Sequence, residues 1–150
     1  MTCGIALAAA LLLSDPNVAL AAAEPAAVAG APVSVASEPL FADIVARASA
    51  LKALSQGFAP EAAPAGWTDF RAQAGELAGL DMQAHLILAE RGTDGDLKCI
   101  LRGIAEDIPI KLDAVEQAAS PEARALALSE LTYLLNDNVE VITSPPQPEA

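Results

Sequence analysis

Between Pro39 and Thr143 apolar residues recur at every third or fourth position, and Gly, Pro or Ser interrupts the pattern at three places. That spacing gathers apolar side chains on one face of a helix, so the segment reads as four amphipathic helices. The first is expected from Pro39 to Gln56, with Ser37 as N-cap, Gly57 as stop, and a stripe of Phe41, Ile44, Val45, Ala48 and Leu51. A connection with two prolines, Phe58 to Gly66, leads to a second helix from Trp67 to Arg91 that stops at Gly92. Its stripe runs through Trp67, Phe70, Ala74, Leu77, Ala84 and Leu88.

The third helix opens at TDGD (Thr93 to Asp96), whose carboxylates suit the positive end of a helix. Leu97, Ile100, Leu101, Ile104, Ile108, Leu112 and Val115 follow at helical period. Pro109 lies inside that pattern and lacks the N–H for the Ala105 carbonyl, so a kink is expected there rather than a break. The fourth begins at SPEA, with Ser120 as N-cap and Pro121 at the first helical position, and carries Leu128, Leu131, Leu135, Val139 and Ile142. VEVIT (Val139 to Thr143) has strand-like composition, but no partner strand is evident. The expected architecture is all-α: a single up-down-up-down four-helix bundle over residues 39–143, its third helix kinked at Pro109.

Composition agrees with a helical core. Apolar residues make up 53% of the chain and aromatics only 3%, so the interior must be built from Leu, Ile, Val and Ala. A net charge of −12 argues against a nucleic-acid surface and against an anionic membrane surface, both of which need clustered Lys and Arg.

The first residues resemble an export signal. Gly4 to Leu13 is a ten-residue apolar run, too short to span a bilayer, and the small residues Ala19 to Ala23 fit an A-x-A cleavage site. The dissenting feature is that no Lys or Arg precedes Arg47. The expectation is a signal peptide over 1–23, cleaved, leaving no membrane span and a periplasmic or secreted protein. Residues 24–38 read as a disordered Ala/Pro-rich linker and 144–150 as a disordered tail. Cleavage would remove Cys3 and leave Cys99 without an intrachain partner.

Candidate chemistry centres on the second helix. His85 is the chain's one histidine. Asp81, four residues earlier, continues the helix seam and points to the core; Met82 lies within reach but off the seam. A carboxylate beneath a histidine fixes its tautomer, and D-x-x-x-H presents two ligands on one face. Asp81, His85 and Met82 are thus the candidate metal or haem ligands, although no C-x-x-C-H occurs and no E-x-x-H recurs. Antiparallel packing brings Asn138 of the fourth helix near the same level, so a small polar pocket with Asp81 and His85 is also expected.

Cys99 falls on the far side of the third helix with Gly103 and Ile110, an outward strip suited to a second chain and hence to a homodimer. Phe58, Trp67 and Phe70 are expected to plug one end of the core. No nucleophile–base set and no phosphate or dinucleotide fingerprint occurs, so catalysis is not expected. The leading expectation is an exported, non-catalytic bundle that binds an envelope protein or serves a structural role. The alternative is a metal- or haem-binding bundle at His85.

Overall fold

The computed structural model describes residues 34–62, 64–92 and 96–145. The expected signal peptide and most of the expected linker and tail therefore lie outside the described residues. Four α-helices occupy almost all of what is described: α1 (Pro39–Ser55), α2 (Trp67–Glu90), α3 (Leu97–Gln117) and α4 (Pro121–Thr143). No strand occurs among the described residues, and VEVIT is the last part of α4.

The helix ends follow local chemistry. Ser120 is extended and its Oγ accepts the Ala123 N–H at 3.2 Å, with Pro121 in the first turn, as the sequence implies. Gly92, just past the end of α2, adopts a left-handed φ of 64°, the backbone that lets a chain leave a helix without a Cβ clash. α1 differs from expectation at its start. The cap position falls on Glu38, not Ser37, and Glu38 makes no capping bond. Its carboxylate is instead gripped by Arg91 at 2.9 and 2.7 Å, which ties the start of α1 to the end of α2 and holds that carboxyl below its usual pKa. Ordered packing also begins before Pro39: Val35 is only 3% exposed and its carbonyl accepts the Glu38 N–H. The end of the expected linker is thus part of the folded body.

α3 runs without interruption through Pro109, which is exposed. The bond lost is the one to the Ala105 carbonyl, and the helical bonds on either side carry α3 across it.

Each helix packs against its neighbours in the chain, and α4 packs back against α1, closing a ring of four. The diagonal pairs, α1 with α3 and α2 with α4, do not approach at the backbone. Cross-links fix the directions. Glu38 pairs with Arg91 and Arg47 with Glu76, while Arg71 pairs with Asp113 and Lys111 with Glu130, so numbering rises on one helix as it falls on the next. This is the up-down-up-down bundle. Between the helices lies one apolar core that includes Phe41, Ile44, Leu77, Leu101, Ile108, Leu131 and Leu135, all fully enclosed. Phe58, Trp67 and Phe70 close one end with ring centroids 5.1 to 5.8 Å apart, the Trp67 indole N–H donating to Glu116 at 2.8 Å.

Leu131→Ala should cost about 2–5 kcal/mol, because its site is enclosed on all sides. Pro109→Ala should raise stability by about 1–2 kcal/mol, the regained helix bond outweighing the loss of proline's restraint on the unfolded chain. Urea unfolding monitored by far-UV circular dichroism checks both.

Candidate functional site

The helix seams carry three buried polar residues: Ser55 in α1, Asp81 in α2 and Asn138 in α4. All three fall at the heptad spacing of the apolar residues around them, so helical geometry alone turns them inward.

Asp81 and Asn138 meet. The Asn138 Nδ2–H donates to Asp81 Oδ2 at 2.7 Å, joining α2 to α4 across the diagonal of the bundle. The remaining oxygens, Asp81 Oδ1 and Asn138 Oδ1, are buried and have no hydrogen-bond partner. Burial pushes the Asp81 carboxyl up to a pKa of about 7, against the lowering effect of the Asn138 bond.

His85 does not join that pair. Its Nδ1 lies 2.6 Å from the Lys98 carbonyl oxygen at the start of α3. A carbonyl only accepts, so Nδ1 carries the hydrogen and the neutral ring keeps its lone pair on Nε2. The tautomer is therefore set by a backbone carbonyl of the next helix, not by Asp81 as the sequence suggested. Met82 is half-buried beside it. Among the described residues no group of three or more His, Cys, Asp and Glu side chains comes together as a metal would require. Asp81, His85 and Met82 share a stretch of α2, with Asp81 bonded to Asn138 and His85 to the Lys98 carbonyl.

The outward strip on α3 is partly as expected. Ile110 is 60% exposed, and a Cβ added at Gly103 would meet only open space. Cys99 is half-buried and is not a free thiol. The other cysteine, Cys3, lies outside the described residues.

A feature that the sequence reading missed lies between α1 and α4. There a groove of about 570 Å³ is lined by Lys52, Ser55, Phe58, Leu128, Thr132, Tyr133 and Asn136 among others. Its floor is a hydroxyl network in which Ser55 Oγ lies 2.8 Å from both the Lys52 carbonyl and Thr132 Oγ1, and Thr132 Oγ1 lies 2.8 Å from the Leu128 carbonyl. Two hydroxyl hydrogens serve those three contacts, so one acceptor is open at any moment. At the rim Lys52 Nζ donates to the neutral Asn136 Oδ1 at 2.8 Å, and Tyr133 stands 68% exposed. By contrast Arg47, Arg71, Arg91, Arg102 and Lys111 all pair with carboxylates. The available signal was Ser55, which sits four residues after Leu51 where the α1 seam calls for an apolar residue.

No protein-family model, curated protein or solved structure matches the chain. None of the described helices is long and apolar enough to cross a membrane.

In His85→Ala the loss of the tie between α2 and α3 should lower stability by about 0.5–1.5 kcal/mol. Long-range proton–nitrogen NMR spectra of the unaltered chain at a pH where the ring is neutral should show the hydrogen on Nδ1. A ring protonated on Nε2 alone would contradict the Lys98 contact.

Proposed function

We propose that the protein is a small exported helical bundle that works by binding, non-catalytically, and that the groove between α1 and α4 receives a segment of an envelope protein partner. The observation that carries this reading is the groove's chemistry. Lys52 holds a cation at the rim with only a neutral oxygen as partner, next to apolar surface from Phe58, Leu128 and Tyr133. Such a surface suits a segment that offers a carboxylate beside an apolar side chain. The carboxylate would take the two ammonium hydrogens of Lys52 not used by Asn136, and the apolar group would cover the rings. In a chain with a net charge of −12, an acidic segment is drawn to the few cations that no carboxylate neutralises, and Lys52 is one that stands beside a groove. Export rests on the pattern of residues 1–23, and the envelope setting rests on export.

A photo-crosslinking amino acid placed at Tyr133 in the producing cell tests the reading. One discrete adduct with an envelope protein is expected, reduced by about tenfold when Lys52→Glu is added, the effect of losing about 1.4 kcal/mol. No adduct, or an adduct indifferent to Lys52→Glu, would overturn the groove as the binding surface. The N-terminal sequence of the mature protein tests export separately: a start between residues 20 and 25 is expected, and retention of Met1 in the cytoplasm would overturn it.

A further inference from the structure

The two buried oxygens left without partners beside the Asp81–Asn138 bond are the strongest unexplained feature of the interior. Both are acceptors when Asp81 is a carboxylate, and neither has a donor. A single proton on Asp81 changes this, because a carboxylic acid and a primary amide pair edge to edge through two bonds of opposite sense. We propose that Asp81 is held as the neutral acid and closes such a ring with Asn138, the amide N–H donating to one Asp81 oxygen and the acid proton donating to the Asn138 carbonyl, and that loss of this proton is the pH-sensitive step of the fold.

The surroundings favour the neutral form. Neighbouring seam positions on the two helices are apolar and buried: Leu77, Ala84 and Leu88 on α2, Leu135 and Ile142 on α4. No cation compensates a charge there. The titratable and charged groups nearest this level on each packed helix are otherwise engaged or turned outward. On α2, His85 donates to the Lys98 carbonyl. On α1, Asp43 pairs with Arg47, and on α3, Arg102 pairs with Glu106. On α4, Asp137 and Glu140 flank Asn138, and partial burial, with repulsion from Glu140 added, raises Asp137. Burial, opposed by the Asn138 bond, accounts for the direction in which Asp81 is shifted, and no neighbouring charge enters.

The unfolded chain ionises Asp81 near pH 4, whereas the folded chain keeps the proton up to about pH 7. Across that window each rise in pH favours unfolding, by up to about tenfold per pH unit in the unfolding constant, and above it the effect levels off. Below pH 4 both states hold the proton and the full contribution of the ring is present. Surface carboxylates held low by arginine, such as Glu38, act in the opposite direction at lower pH, so the descent between pH 5 and 7 is the signature of the buried acid.

Asp81→Asn is the decisive variant, because an amide–amide pair makes the same two bonds with no proton to lose. Urea unfolding of the full chain is measured from pH 5 to 8.5. The unaltered protein should lose about tenfold in folding equilibrium per unit between pH 5 and 7, while Asp81→Asn should lack that descent and be at least about tenfold more stable at pH 8. An Asp81→Asn chain less stable than the original at pH 8, or one with the same descent, would overturn the proposal. Should the variant not fold, carbon NMR of the Asp81 carboxyl in the unaltered chain decides. A titration near pH 7 that moves together with the Asn138 amide hydrogens supports the ring, and a carboxyl ionised from pH 5 upward overturns it.

Discussion

The bundle depends on a single polar contact through its centre. Apart from Asp81 and Asn138, the seams are lined mostly with Leu, Ile, Val and Ala, with Phe41 on α1, Phe70 on α2 and Ser55 near one end. Along most of such a seam, moving one helix by a turn, about 5.4 Å, exchanges one aliphatic side chain for another at modest cost. The Asp81–Asn138 bond does not tolerate it. A one-turn slip of α2 or α4 would leave a carboxyl and an amide both buried and both unpaired, each costing about 1–3 kcal/mol or more. α2 and α4 do not touch at the backbone, so this bond is also the means by which the diagonal is fixed. Register is thus set by what the core cannot afford to leave alone, in the manner of a lone polar residue in a coiled-coil seam.

The other polar links grade outward from that centre. Most ion pairs, such as Arg47 with Asp43 and Glu76, are well exposed and contribute little each, since water already solvates both partners. Between them and the core lie the half-buried contacts of the α1–α4 face: Ser55 with Thr132 and Lys52 with Asn136. The α2–α3 face is closed differently, by the apolar sides of the helices, by Arg71 bridging Asp113 at 2.7 Å and Glu116 at 3.2 Å, and by the His85–Lys98 contact near the hairpin. The face sealed by hydroxyls and amides is the one with an open groove. Short polar side chains satisfy one another at hydrogen-bond distance and leave space above them that a Leu would have filled.

The helices, their order and the inward position of Asp81 were legible because a period of 3.6 leaves a signature in which residues are apolar. Two departures, in α4 and at the end of α1, share a cause: apolarity stands in for position. In α4 apolarity places Val139 on the stripe, whereas the seam passes through Asn138 and then Val141 and Ile142, with Val139 only half-buried. Spacing from Leu131 and Leu135 already required position 138, and only its polarity argued against it. Ser55 was passed over in the same way at the end of α1. The partner of His85 was illegible for another reason. A backbone carbonyl has no residue type, so nothing in the letters at Lys98 marks it as the acceptor. Ser37 lost the α1 cap for a tertiary reason, since Glu38 is fixed by Arg91, more than fifty residues away in sequence.

The connection between α1 and α2 borders the groove proposed as the docking surface. It is the longest of the three links among the described elements, running from Gln56 to Gly66, and a free segment of that length would sweep across the groove. It is pinned instead. Arg124, in the first turns of α4, donates to the Pro60 carbonyl at 2.8 Å and to the Ala118 carbonyl at 3.3 Å, while Phe58 is held edge-on against Trp67 and Phe70. One guanidinium therefore anchors two loops at the same end of the bundle, and the aromatic cluster anchors the first of them a second time. Phe58 and Pro60 become a fixed wall of the groove rather than a cover for it. A partner docking there as proposed would have little loop ordering to bring about, and so would retain more of whatever the groove contributes to binding.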